Sequence, residues 1–338
     1  MTNPKVTVLM PVYNAERYVG KAIESILSQT FKNFEFLIID DDSTDNSLSI
    51  INSYNDPRIT LFSNRSNCGL SYTLNRGIEI AKGEYIARMD ADDISLPKRL
   101  EKQVEFMENH PEIGICGAWI HSFDKLGDRN IWHYPSTHEE IVSWLFFNCC
   151  FAHPTVVIRK KLFWETGLKY NQEFMPSEDY DLWVKLMKIT KGVNLQEVLL
   201  KYRLSDNQMS SSKSLQILNA NKVRFQILNS MGFQLDQAQQ EFHSKILNDS
   251  WCRDTVFFEK SIHWLETISE TNKLQKIFPE PWFTIGLSKF LFGKSLMYAS
   301  LSLDTYSLYK ASRLSLLYKP NFYDLLKLRI KTLVKFWQ

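Results

Sequence analysis

Three times in the first hundred residues a short apolar run ends in a cluster of polar or acidic side chains, and this repeat constrains the fold most. Lys5 to Met10 is a β-branched run closed by Pro11, with Tyr13 and Asn14 just after it. Phe34 to Ile39 runs into Asp40-Asp41-Asp42, and Tyr85 to Met89 runs into Asp90-Ala91-Asp92-Asp93. Helical spacing separates the runs: Tyr18, Val19, Ala22, Ile23, Ile26 and Leu27 recur at i, i+3 and i+4. This alternation predicts an α/β domain built on a mainly parallel open sheet flanked by helices. In such sheets ligands gather at the carboxyl ends of strands, so the three clusters are expected along one sheet edge.

The remaining elements follow from the same rules. Helices are predicted over Ser47–Tyr54 and over Leu70–Ala81, the second closed by Gly83, with a strand at Ile59–Phe62 between them. A helix opens at Pro97 and runs to Asn109. Residues 113–205 are mixed, with a strand at Thr155–Ile158 and a helix over Glu178–Ile189 that carries Leu182, Trp183, Leu186 and Met187 on one face. From Ser210 the chain reads as mostly helical and sparse in glycine, and the Ser-rich stretch 210–214 is the expected linker. The organisation predicted is therefore a domain over 1–210 and a helical region over 211–338.

Bulk properties exclude several classes. A net charge of +2 gives no field directed at nucleic acid. No run approaches the ~18 apolar residues of a spanning helix, and the first residues lack the pattern of a secretory signal. Cys68, Cys116, Cys149, Cys150 and Cys252 show no CxxC spacing, so reduced thiols in a cytoplasmic protein are expected, not disulfides or zinc. Neither GxGxxG nor GxxxxGK[ST] occurs, which leaves a dinucleotide fingerprint and a Walker loop unsupported.

The acidic clusters carry the chemistry. Asp90, Asp92 and Asp93 repel one another when ionised, and a hard divalent cation, Mn²⁺ or Mg²⁺, relieves this while sharing its shell with a diphosphate. A solvated turn capping the next helix is the competing explanation. Asp40-Asp41-Asp42 can accept from a base N–H or a ribose hydroxyl, Tyr13 can stack on a base, and both also suit an ordinary turn. Ser177-Glu178-Asp179-Tyr180-Asp181 opens an amphipathic helix, where acids either complement the helix dipole or supply a general base. His153 is a substrate contact or a structural histidine; Arg76 and Arg88 meet phosphate or, more commonly, neighbouring acids.

In order along the chain, these motifs resemble one family, the inverting family 2 glycosyltransferases of GT-A fold. Val6 to Asn14 is similar to the family's opening strand, Ser25-Ile26-Leu27-Ser28-Gln29-Thr30 to its S-x-L-x-Q-T helix end, and Ile39 to Asp45 to its V-D-D-G-S-T-D segment. Asn67-Cys68-Gly69-Leu70 with Asn75 and Gly77 resembles N-x-G…R-N-x-G, and Ala81 to Ile86 leads to a DxD-type motif at Asp90 and Asp92. His153-Pro154-Thr155 and Ser177 to Trp183 resemble the acceptor side, so the likeness spans about residues 4–212.

The resemblance implies a nucleotide-sugar half over about 1–112 and an acceptor half over about 113–210. It implies donor contacts at Pro11, Tyr13, Asn14, Asp41, Gly69, Asp90 and Ala91, with Asp41 on the base and Asp90 on the ribose. Asp92, with Asp93 beside it, would hold the metal; Asp179 would be the base; and His153, Glu178 and Asp181 would lie on the acceptor side. The implied partners are a nucleotide-diphosphate sugar, expected to be a UDP-sugar, and a glycan or lipid-linked glycan of the cell envelope. Three positions depart from the pattern: Asp42 replaces a glycine, Leu74 an arginine, and Ser205 a histidine able to reach the metal.

Other classes share parts of this pattern. A catalytically silent assembly subunit would keep the fold without needing Asp92 and Asp179, and a metal-dependent nucleotidyltransferase would leave the Glu178-Asp179 helix unexplained. At the C-terminal end, Phe322 to Trp337 places Leu326, Ile330, Leu333, Val334 and Trp337 near one helix side and Lys327, Lys331 and Lys335 on the next stripe. Such a helix docks on an anionic membrane face, packs on the body of the protein, or meets a second subunit.

Overall fold

In the computed structural model, residues 3–204, 213–248, 255–299 and 304–334 are described. Ser205, Ser210, Ser211, Ser212, Cys252, Lys335 and Trp337 fall outside them, and so do the side chains of Leu333 and Val334. The chain divides into two units, the first comprising residues 1–141 and 148–220, the second 142–147 and 221–338. The division falls inside a helix, ten residues beyond the boundary expected from the Ser-rich stretch.

The first unit opens with β1 (Val6–Val12), α1 (Val19–Leu27), β2 (Phe34–Asp40), α2 (Ser47–Asn52), β3 (Ile59–Ser63), α3 (Leu70–Ile80) and β4 (Tyr85–Arg88). It continues with β5 (Ile94–Ser95), α4 (Arg99–Asn109), β6 (Ile113–Asp124), β7 (Gly127–Trp132), the first part of α5 (His138–Trp144), β8 (Val157–Arg159), α6 (Lys161–Thr166), α7 (Glu178–Leu186) and β9 (Lys191–Arg203). The sheet order is β3-β2-β1-β4-β8-β6-β9-β5, with β7 on the side of β6. The four strands β3-β2-β1-β4 are parallel, as the strand–helix alternation predicts. Beyond β4 the sheet is mixed: β8 runs antiparallel to β4 and β6, while β6 and β9 run parallel. Both expected halves of the first domain thus share one sheet.

The pleat sorts the core. Val6, Val8, Met10 and Val12 of β1 pack with Val19, Ala22, Ile23 and Ile26 of α1 and with Leu100, Val104 and Met107 of α4. Leu9 points to the opposite face, where α3 crosses so closely that a Cβ on Gly77 would lie 2.3 Å from Leu9 Cδ1. Pro11 does not end β1, which continues to Val12. Its β4 neighbour stops at the Leu9–Arg88 pair, so a missing N–H on that side breaks no ladder. Gly83 does not cap α3 either. Ala81 occupies that position, and Gly83 passes so near β1 that a Cβ there would sit 2.3 Å from the Thr7 amide nitrogen. Thr155 lies in a 3₁₀ turn ahead of β8, closed by its backbone N–H on the Ala152 carbonyl and reinforced by its Oγ1, which donates to the same carbonyl.

The second unit holds the later part of α8 (Lys213–Ser230), then α9 (Gln237–Leu247), α10 (Thr255–Gln275), α11 (Trp282–Tyr298), α12 (Thr305–Ala311) and α13 (Phe322–Val334). Its core is aromatic: Phe278 stacks on Phe283 at 4.4 Å, and Phe146 meets both edge-on. On α13 the buried residues are Leu328 and Thr332, while the expected apolar face at Leu326 and Ile330 is exposed. No helix among the described residues is long and apolar enough to cross a membrane.

Candidate active site

The turn after β4 gathers the first acidic group. Gln29, fully buried at the end of α1, donates through Nε2 to Ser95 Oγ and the Leu96 carbonyl and accepts from the Leu100 amide. This anchors the far side of the Asp90–Asp93 turn and gives the S-x-L-x-Q-T segment a structural role. β5 then pairs with Leu200–Lys201 and brings the end of β9 to the turn. Arg203 donates its backbone N–H to Asp93 Oδ1 at 2.8 Å and its Nε to the Asp92 carbonyl at 2.8 Å.

Ligand oxygens of Asp90, Asp92 and Asp93 lie within 4.8 Å of one another. Asp93 is fully buried, and its Oδ2 has no hydrogen-bond partner among the described residues. Burial, reinforced by Asp90 and Asp92, pushes its carboxyl well above the ordinary range. A buried, orphaned carboxylate oxygen beside two further carboxylates suits a hard divalent cation, which would supply the missing partner.

The second acidic group opens α7. Asp179 accepts at Oδ1 from the Tyr180 amide at 2.7 Å and at Oδ2 from the thiol of Cys149 at 3.5 Å. Burial raises its carboxyl above the usual range, and the two hydrogen bonds work against that rise. Glu178 is buried, its Oε2 has no partner among the described residues, and burial, followed by the charge of Asp179, drives it upward as well. Asp181, expected on the acceptor side, is paired with Lys185 one turn along the helix at 2.6 Å. His153 Nε2 lies 2.9 Å from the Tyr170 hydroxyl, and both rings meet Trp183 edge-on. Burial and the nearby Arg88 hold His153 well below its normal range, so its imidazole is neutral.

Arg88 joins the two groups. Buried at the end of β4, it is ion-paired with Asp90 and acts electrostatically on Asp93, Glu178 and Asp179. Sequence reasoning left Arg88 to phosphate or, more commonly, to a neighbouring acid; the structure pairs it with Asp90, and no motif signals that its charge also acts on Glu178 and Asp179. Cys149 and Tyr170 carry no motif signal at all, and Arg203 enters only as the start of the segment that holds Ser205.

The nucleotide side is held by the same kind of cross-bracing. Asp41, almost wholly buried, accepts from Asn64 Nδ2 at 2.5 Å and from the amides of Cys68 at 3.0 Å and Gly69 at 2.8 Å. Three donors therefore claim oxygens expected to read a base, and Asp41 also shapes the loop before α3. Gly69 sits at φ +85°, in the left-handed region that favours glycine. Asn14 accepts from the Thr44 amide at 2.8 Å and tolerates φ +48°. Tyr13 is half exposed, Pro11 part-buried, and Ala91 buried.

The departures from the family pattern have local explanations. Asp42 takes φ +64°, which accounts for the usual glycine; aspartate is among the residues that tolerate it. Leu74 is fully buried, and Arg76 turns to the end of β3, donating to the Ser63 carbonyl at 2.9 Å and to Asn64 Oδ1. Asn75 clamps Tyr170 by accepting from its amide and donating to its carbonyl, each at 2.9 Å.

Comparisons with known proteins bear on the family and the fold. The family described as Glycosyl transferase family 2 matches residues 7–167. An uncharacterized glycosyltransferase of Methanocaldococcus jannaschii is 37% identical over 222 residues, covering 63% of this chain and 76% of that protein. The UDP-Glc:alpha-D-GlcNAc-diphosphoundecaprenol beta-1,3-glucosyltransferase WfgD of Escherichia coli is 31% identical, over 62% of this chain and 80% of its own length. The crystal structure of S. aureus TarS 1-349 in complex with UDP-GlcNAc shares the fold at a TM-score of 0.58 and 19% identity, covering 98% of this chain and 91% of that one. With its strand-end acids and buried arginine in place, and with relatives of this similarity, the chain belongs to glycosyltransferase family 2.

Proposed function

We propose that this glycosyltransferase moves a sugar from a UDP-sugar to a hydroxyl of a glycan or lipid-linked glycan, with inversion, in cell-envelope polysaccharide synthesis on the cytoplasmic side. The observation that carries the reading is Arg88, a buried cation ion-paired with Asp90 whose charge is also felt at Glu178 and Asp179. This shared charge supports reading the donor-side acids and the candidate base as parts of one site. The UDP assignment leans on WfgD, named for UDP-Glc, and on TarS, solved with UDP-GlcNAc. The lipid-linked acceptor leans on the diphosphoundecaprenol in the name of WfgD.

In this reading Asp92 and Asp93 hold Mn²⁺ or Mg²⁺, which when bound neutralises the diphosphate and makes it a better leaving group. Tyr13 offers a ring face to the base, Asp41 and its loop enclose it, and Asp90 meets the ribose. Pro11, Asn14, Gly69 and Ala91 line the same strand ends. An Asp179 carboxylate oxygen takes the acceptor hydroxyl proton while the new C1–O bond forms and the bond from C1 to the diphosphate breaks. A single displacement inverts C1 and requires no covalent intermediate on the protein. Neutral His153 and Tyr170, packed against Trp183, form an acceptor-side wall.

A panel of nucleotide sugars, scored for metal-dependent release of nucleoside diphosphate, tests the proposal. UDP release from at least one donor is expected. Pyrophosphate release from a nucleoside triphosphate instead would assign a nucleotidyltransferase, and inertness toward every donor and acceptor would assign a silent subunit.

A further inference from the structure

We infer that α13 is a surface anchor that lies on an anionic lipid membrane. The inference goes beyond the transfer reaction and uses none of its residues. At about 100° per residue, Phe322, Leu326, Ile330 and Tyr323 occupy one arc of about 100°. All four are exposed, at 74%, 40%, 47% and 80% respectively. Lys327 and Lys331 border this arc on one side and Arg329 on the other, and all three are exposed. The opposite side of the helix faces inward through Leu328 and Thr332. The helix therefore has one apolar stripe that is used in packing and a second that is not.

An exposed apolar stripe between two rows of cations matches an interfacial helix, whose rings and aliphatic chains enter the acyl boundary while its cations meet headgroup phosphates. The one acid in the helix, Asp324, is bonded to Asn321 at the helix start. Just upstream, Leu316 and Leu317 are exposed and Lys319 repeats the pairing of apolar and basic residues. A second copy of the chain is the poorer occupant. A twofold contact would bring this cationic border against its own copy with only Asp324, already bonded to Asn321, as an acidic complement on the helix. Because no described helix can span a bilayer, contact along the surface is the mode that the stripe permits.

Co-sedimentation of the full chain with vesicles tests the inference. Vesicles of phosphatidylglycerol and phosphatidylcholine should bind the protein at low salt, release it at high salt, and outcompete pure phosphatidylcholine. Phe322→Ser with Leu326→Ser should abolish binding, and Lys327→Gln or Arg329→Gln should each weaken it about five-fold. These side chains are exposed, so the variants should keep the melting temperature and the UDP-release rate on a soluble acceptor. That second readout separates loss of the anchor from failure of the proposed reaction. Binding equal on both vesicle types, absence of binding at low salt, or binding unmoved by the variants would overturn the inference. A concentration-dependent dimer that the serine variants dissolve would assign the face to a second copy instead.

Discussion

Cys149 and Asp179, thirty residues apart, meet across the site: the Cys149 thiol donates to Asp179 Oδ2 at 3.5 Å. Burial raises the Asp179 carboxyl, and this bond is one of the contacts that pull it back toward ionisation. A general base must be ionised to act, so removing the donor should move the acid limb of the pH–rate profile to higher pH. Cys149→Ala is expected to show that shift and Cys149→Ser, which keeps a donor, to reverse it. Identical, unshifted profiles for both variants would reduce Cys149 to a packing residue.

Asp179→Asn should lower turnover by about 10²–10⁴-fold, the usual worth of a general base. The KM for the donor should scarcely change, because the proton removed belongs to the acceptor. A parallel loss of donor affinity would transfer the role to Glu178, whose Oε2 has no hydrogen-bond partner among the described residues.

Mn²⁺ should raise the melting temperature of the intact chain, since a ligand bound only to the folded state stabilises it by about 2.7 kcal/mol at a hundredfold excess over Kd. Asp92→Asn should lose that rise and all UDP release while remaining folded without metal. An equal rise in the variant, or full activity in excess chelator, would remove Asp92 from the metal site.

Gly83→Ala should destabilise the protein by about 1–3 kcal/mol, the common cost of overpacking. The clash is with the Thr7 backbone, which cannot rotate away as the far end of a side chain can. Gly293→Ala in α11 is the matched control: a Cβ there meets nothing within 4 Å. Alanine's better helix propensity should make that variant more stable by up to ~1 kcal/mol. Denaturant unfolding of the two variants checks both signs.

As far as β4 the sequence by itself determined the strand–helix order and the acidic strand ends, and motifs over about residues 4–212 gave the family. These depend on local hydrophobic period and on motifs whose members lie close together in the chain. Tertiary structure decided the rest. β6 and β9 pair in parallel across a long stretch of chain, so neither run announces its neighbour. Arg203 reaches Asp93 over a separation of 110 residues, and Arg88 joins two acidic groups from different ends of the domain. On α13 the periodicity displayed apolar residues on more than one side, and packing alone chose Leu328 over Leu326 for the interior. A repeat in the sequence shows that a face is apolar. Which apolar face is covered depends on what the rest of the chain brings against it.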